Sequence, residues 1–123
     1  MTVDISKITY KALEVVNNDF PNRDYWVNII IPEFSCVCPR TGLPDYAKLE
    51  IQYIPNQKII ELKSLKLYIV QYRDVGIFHE NVTNKILDDL VEALSPKHII
   101  INGIFNARGG IQTTVSGEWK NNI

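Results

Sequence analysis

Hydrophobic and polar residues alternate along two early stretches of the chain. From Tyr25 to Ile31 the positions Tyr25, Val27, Ile29 and Ile31 share one side, and further on Ala47, Leu49, Ile51 and Tyr53 are interleaved with Lys48, Glu50 and Gln52. A period of two predicts strands with one buried face. Past Asn56 the spacing lengthens: Leu62, Leu65, Ile69 and Tyr72 recur at intervals of three and four, which predicts an amphipathic helix from about Glu61 to Arg73. A second helix follows Gly76, striped by Val82, Ile86, Leu90 and Ala93 and ended ahead of Pro96. Ile99, Ile101 and Phe105, then Ile111, Thr113 and Val115, return to period two around the turn Asn106-Ala-Arg-Gly-Gly. The predicted order is β-β-α-α-β-β. It implies an α+β fold, an antiparallel sheet with both helices on one face.

The first residues, with a short amphipathic piece from Tyr10 to Val16 and a turn-prone Asn-Asp-Phe-Pro-Asn, suggest no firm element; residues 1–22 read as an extension to one domain spanning 1–123. Pro32 to Pro44 forms a connection between the first two strands with three prolines and a glycine. That is long for a simple hairpin, and such loops usually carry function. Four strands leave two sheet edges, and Trp26, Ile30, Ile54, Ile100 and Ile104 fall on the outward faces. Open edges and apolar outer faces predict oligomerisation through strands.

Composition narrows the class. With 46% hydrophobic and 22% charged residues the chain has ordinary globular usage, and its length suits a single core. A net charge of −1 provides no general attraction for nucleic acid or anionic lipid. No apolar run approaches the roughly 20 residues of a membrane helix, and the N-terminus lacks a basic-then-apolar leader, so the cytoplasm is expected. The two cysteines, Cys36 and Cys38, are separated by one residue, a spacing unsuited to an unstrained disulfide. Reduced thiols fit better.

Several residues could carry chemistry. Cys38, between Pro39 and the strand and close to Arg40, could be a nucleophile activated by a nearby cation, although an unpaired cysteine is commonly a small core residue. Cys36 reads as that packed thiol. Asp45 stands at the far end of the same loop, where it could return a carboxyl to the thiol as a general acid, or serve only as a turn residue. Lys63 and Lys66, three apart on a helix, leave the same face and could grip phosphates or simply be solvated. Arg108, before Gly109 and Gly110, is a possible third cation at a hairpin tip. His79 and Glu80 open the second helix. Glu80 could accept two N–H donors from a purine-like ring or merely complement the helix dipole. A C-x-C pair with two histidines elsewhere does not match zinc spacings, and no metal is expected.

Taken together, Phe34-Ser-Cys-Val-Cys-Pro-Arg-Thr-Gly-Leu-Pro-Asp-Tyr-Ala47, Glu61-Leu-Lys-Ser-Leu-Lys-Leu-Tyr68, Phe78-His-Glu80 and Arg108-Gly-Gly110 resemble the 7-cyano-7-deazaguanine reductases of queuosine biosynthesis in their short single-domain form. The resemblance spans about Asn22 to Val115. It implies the tunnelling fold, whose units close into oligomeric barrels with sites between subunits, and a homo-oligomer built as a decamer of two pentamers. It also implies NADPH-dependent reduction of the nitrile 7-cyano-7-deazaguanine to the aminomethyl base, a tRNA-modification precursor, with two NADPH used per nitrile. Carried over by position, Cys38 is the thioimide nucleophile and Asp45 the proton donor. Glu80 anchors the base, with His79 beside it and Ile60, Glu61 and Leu62 lining the pocket, while Lys63, Lys66 and Arg108 contact NADPH. The second cysteine that short members carry just after the His-Glu pair is replaced here by Val82, so a protective disulfide would have to use Cys36 or be absent.

Three other functions fit parts of the pattern. An amidinotransferase-like relative would use the same Cys and Asp to add ammonia to a nitrile already in tRNA, without the lysine-bearing helix. A cyclohydrolase or pterin synthase of the same fold would need zinc ligands. A non-catalytic purine-binding module would keep Glu80 and need neither Cys38 nor Asp45.

Overall fold

The computed structural model describes residues 4–122. Among them the chain runs β1 (Val15–Asn17), β2 (Val27–Val37), β3 (Pro44–Ile54), β4 (Lys58–Ile60), α1 (Leu62–Val70), α2 (His79–Leu94), β5 (His98–Phe105) and β6 (Thr114–Lys120). The expected β-β-α-α-β-β frame is present as an antiparallel sheet in the order β2-β3-β5-β6. The inward positions of its central strands, Leu49, Ile51, Tyr53, Ile99, Ile101 and Phe105, are almost wholly buried against Leu65, Tyr68, Ile86 and Leu90 of the helices. The two helices are tied to each other by polar groups as well. The buried hydroxyls of Tyr68 and Tyr72 lie 2.7 Å apart, and Tyr68 also donates to Asp89 on α2.

The largest departure from expectation lies in β2. Its ladder with β3 does not stop at Ile31 but continues through Phe34↔Ala47, Ser35↔Tyr46, Cys36↔Asp45 and Val37↔Pro44. Between Ile31 and Phe34 the register shifts, β2 advancing three residues against two on β3. This bulge moves the buried side from odd positions to even ones, so that Phe34 and Cys36 point inward after Ile31. It also accommodates Pro32, which has no N–H for a ladder and is tolerated on an edge strand. The connection expected over Pro32 to Pro44 therefore shrinks to a tip at residues 38–43.

Other boundaries move for local reasons. α1 ends three residues before Arg73 because the amides of Gln71, Tyr72 and Arg73 turn to carbonyls three residues back. β6 begins at Thr114 and runs to Lys120, leaving Ile111, expected in the strand, 72% exposed at the loop. A small ladder between β1 and β4 was not foreseen, and neither were the 3-10 turns before it. They seat Ile8 and Leu13 in the main core.

Gly103 on β5 shows how tightly α2 lies on the sheet. A Cβ there would sit 2.8 Å from Thr83 Oγ1 and 3.0 Å from the Phe105 ring. Thr83 is itself held, its hydroxyl donating to the His79 carbonyl at 2.8 Å. We expect Gly103→Ala to lower stability by about 1–3 kcal/mol, an overpacking effect, seen as a fall in the urea midpoint with an unchanged slope.

Candidate active site

Cys38 is the first residue past β2, and the tip of the hairpin curls around it. Its N–H donates to the Leu43 carbonyl and its carbonyl accepts from the Gly42 amide, both at 2.9 Å. Gly42 makes the return possible with φ of 73°. The curl brings the Thr41 hydroxyl and the backbone amides of Thr41 and Arg40 to the Cys38 sulfur, with the Arg108 guanidinium as a further donor. These donors, the Thr41 hydroxyl first, hold the thiol down to about 6, since each favours the charged form. Two residues back the effect reverses. Cys36 is fully buried, and desolvation together with the nearby Asp45 charge pushes its thiol up to about 12.

Asp45, second residue of β3, faces Cys36 across the ladder, and Cys38 follows Cys36 by two residues on the same side of the chain. Its carboxylate is 7% exposed and doubly paired, with Arg108 Nη1 at 2.9 Å and His79 Nε2 at 3.0 Å. Both partners reach it through neighbouring backbone. Val37 donates to the Val75 carbonyl at 2.9 Å and accepts from the Ile77 amide at 3.0 Å, so residues 75–77 run beside the end of β2 and deliver the first turn of α2. His79 then stacks on Phe105, ring centroids 3.8 Å apart. On the other side the Asn106 amide donates to the Tyr46 carbonyl at 2.8 Å, and Arg108 and Ile111 bracket Gly109 and Gly110, both at positive φ. Cys38, Asp45, His79 and Arg108 are thus united, with Glu80 exposed on the adjoining turn of α2.

The remaining expected residues lie elsewhere in the chain. The Ile60 amide donates to the Tyr53 hydroxyl at 3.0 Å, and Tyr53 stands eight residues from Asp45 along β3, about 27 Å at the rise of a strand. Glu61 caps α1, its carboxylate accepting from the Lys63 and Ser64 amides at 2.9 and 2.7 Å, which holds it below its ordinary range. Leu62 is 62% exposed, and Lys63 and Lys66 are exposed on the same helix. Ile60, Glu61 and Leu62 thus lie toward the end of β3 opposite Asp45. Lys66 instead shares a groove of about 380 Å³ between α1 and the β2 edge with Arg73 and an apolar wall of Ile29, Ile31, Leu65 and Ile69. A second hollow of about 440 Å³ at the bulge, reaching Tyr46 and Asn106, adjoins it through Pro32, Glu33 and Arg73. Sequence reasoning missed Thr41, Phe105 and Arg73; the one signal for Thr41 was its place in a glycine-closed loop after Cys38.

Both cysteines are free thiols. As i and i+2 residues at the end of one strand, their side chains stand side by side, too far apart for the roughly 3.8 Å Cβ separation of a disulfide. Iodoacetamide should therefore modify Cys38 alone, at a rate that rises with pH through a midpoint near 6 and is flat above neutrality, because only the thiolate reacts. Peptide mass mapping across pH 5 to 9 reads this directly. Labelling of Cys36 in that range would contradict its burial.

Known proteins resemble this chain. A family model described as "QueF-like protein" matches residues 44–122. An NADPH-dependent 7-cyano-7-deazaguanine reductase of Chloroherpeton thalassium is 56% identical over 110 residues, covering 89% of this chain and 95% of that protein. One from Nitrosococcus oceani is 54% identical, covering 89% of this chain and 85% of its own length. In three dimensions the apo archaeosine synthase QueF-Like aligns with a TM-score of 0.71 over 76% of this chain and 91% of that one, at 22% identity, a likeness of fold alone. The architecture is the α+β tunnelling fold, and the chain belongs to the QueF-like family.

Proposed function

We propose that this protein is an NADPH-dependent nitrile reductase that converts 7-cyano-7-deazaguanine to 7-aminomethyl-7-deazaguanine, a step toward queuosine. The observation that carries the reading is the single cluster in which a low-pKa Cys38 stands beside an Asp45 already linked to His79 and Arg108. Identity above 50% to reductases along most of the chain favours this chemistry over ammonia addition by an amidinotransferase-like relative. Among the described residues no group of three or more His, Cys, Asp or Glu is arranged to hold a metal ion, which disfavours a zinc-dependent cyclohydrolase.

The arrangement supports the following chemistry. The Cys38 thiolate bonds to the nitrile carbon, one C–N π pair moves to nitrogen, and nitrogen takes up the proton that Asp45 has first received from His79, 3.0 Å away. The product is a covalent thioimide. His79, 3.0 Å from the carboxylate, can restore that proton, and its stacking on Phe105 fixes the ring for the task. When the reduced adduct collapses, the same donors that stabilise the thiolate make Cys38 a good leaving group. Glu80 anchors the ring N–H groups of the base from the first turn of α2.

The groove beside α1 has the character a phosphate-bearing nucleotide needs, an apolar wall for a ring and the cations Lys66 and Arg73 at its rim, with Lys63 one turn away. These residues would hold NADPH, which supplies hydride when bound, two per nitrile because nitrile and amine differ by four electrons. Since Ile60 to Leu62 stand near Tyr53, about 27 Å along β3 from Asp45, a second copy would complete each site. The two open sheet edges, β2 and β6, support such a homo-oligomer, and the family resemblance suggests a decamer of two pentamers. A free base as substrate and a net charge of −1 require no nucleic acid partner, and reduced cysteines with an NADPH requirement suit the cytoplasm.

The test is stoichiometric. Purified enzyme given limiting 7-cyano-7-deazaguanine and excess NADPH should oxidise two NADPH per nitrile and yield the amine. An adduct with no NADPH oxidation would identify the ammonia-adding activity instead, and no adduct a binding module.

A further inference from the structure

Phe105, the last residue of β5, lies flat against the His79 ring. The ring centroids are 3.8 Å apart and the planes 6° from parallel. Phe105 has no freedom to swing away. It is fully buried, its amide donates to the Thr113 carbonyl at 2.9 Å, and it stands edge-on to Phe34 with centroids 6.5 Å apart. Its Cε1 is so close to Gly103 that a Cβ there would come within 3.0 Å. On the ladder Phe105 pairs with Ala47, which shares the buried side of β3 with Asp45. One imidazole thus meets a carboxylate at Nε2, 3.0 Å away, and an aromatic face across its plane.

We propose that Phe105 is a positioning residue whose π-face stabilises the imidazolium form of His79, so that His79 is loaded with the proton that passes through Asp45 to the nitrile nitrogen. The inference rests on the reductase reading only for the acceptor of that proton. An aromatic face is the negative side of the ring quadrupole and attracts a cation laid against it. Asp45 does not meet this need alone, because its other oxygen faces Arg108 Nη1 at 2.9 Å and its charge is divided between two cations. The other titratable groups nearby are Cys36 on β2 and Cys38 at the hairpin tip, both on the Asp45 side, and Glu80, exposed on α2.

The charges balance through the step. The sulfur lone pair forms the S–C bond and a C–N π pair becomes the nitrogen lone pair. The Nε2 proton of His79 moves to Asp45 and from there to that nitrogen. Thiolate and imidazolium are consumed together, and the carboxylate ends as it began. The His79 side chain is 21% exposed, so water returns its proton for the next turnover.

Phenylalanine analogues with one, two or three ring fluorines at position 105 keep the ring shape and progressively weaken its negative face; Phe105→Leu removes the face. In the assembled enzyme, thioimide formation from 7-cyano-7-deazaguanine without NADPH should slow stepwise above neutral pH, about threefold with three fluorines and about tenfold in Phe105→Leu. The loss should fall on the alkaline limb of the pH profile, which belongs to the Asp45–His79 pair and should move down by about half a pH unit, while the acid limb, set by the Cys38 thiolate, stays in place. Equal rates along the fluorine series, or a uniform loss at every pH, overturns the proposal. NMR signals of the His79 ring need no substrate, and in each fluorinated protein they should change at lower pH than in the wild type. That displacement with no thioimide in the wild type would uphold the role of Phe105 and overturn the reductase reading; its absence overturns the proposal whatever the rates.

Discussion

Replacing Cys38 with alanine should abolish the thioimide, seen as loss of both the adduct absorbance and the added mass, and cut NADPH oxidation by at least about 10³-fold, because the covalent route divides one hard reduction into easier steps. The fold should survive. Cys38 ends a strand at a hairpin tip whose three closing hydrogen bonds use its backbone or the Thr41 side chain, and none uses its sulfur. Cys36→Ala is the matched control. It removes a buried thiol next to Asp45 and so tests packing, yet it should keep turnover within a few-fold, since a thiol pushed up to about 12 supplies almost no thiolate at neutral pH. Equal losses in the two variants would mean that the site depends on the shape of the strand rather than on the Cys38 nucleophile.

Asp45→Asn comes next in expected size. Asparagine fits the same space but cannot deliver a proton, and it leaves Arg108 and His79 without their shared partner. Thioimide formation in a rapid-mixing experiment should slow by about 10²–10³-fold, the range of a positioned general acid. The sign of the effect on Cys38 is opposite to that of a damaged nucleophile. Removing the carboxylate frees Arg108 for the sulfur, so the labelling midpoint near 6 should stay or fall while adduct formation collapses. Adduct formation at the wild-type rate would show that nitrogen takes its proton from another group, with His79 the first to examine.

The order of strands and helices was legible because periodicity survives wherever one face is buried and the other is wet. Leu49, Ile51 and Tyr53 against Lys48, Glu50 and Gln52 needed no partner to be read. The misreadings occur where tertiary contacts override a local rule. Pro32 looked like the end of a strand, but an edge position and a bulge let the ladder pass it and reverse the phase of burial. Gly117 and Trp119 continue β6 because α2 lies close above: a Cβ on Gly117 would come 2.9 Å from Leu87 Cδ2. The three-residue stretches Val15–Asn17 and Lys58–Ile60 carry little pattern of their own, and they form strands only because each finds the other.

The site divides in the same way. The amino-acid sequence by itself determined the reacting types and their spacing: a cysteine in a Pro- and Gly-closed tip, an aspartate on the returning strand, a helix bearing Lys63 and Lys66, a His-Glu pair at a helix start. These follow from covalent order, and motif resemblance needs nothing more. Only the tertiary structure decided their charges and company. Cys36 and Cys38 are chemically identical and two residues apart, yet one thiol is pushed up to about 12 and the other held down to about 6. The difference is what surrounds each sulfur, apolar burial beside a carboxylate in one case and converging donors in the other. Spatial arrangement alone also put Arg108 and His79 on Asp45 and set Lys66 with Arg73 in a groove against β2, because folding joins groups that sequence separation keeps apart.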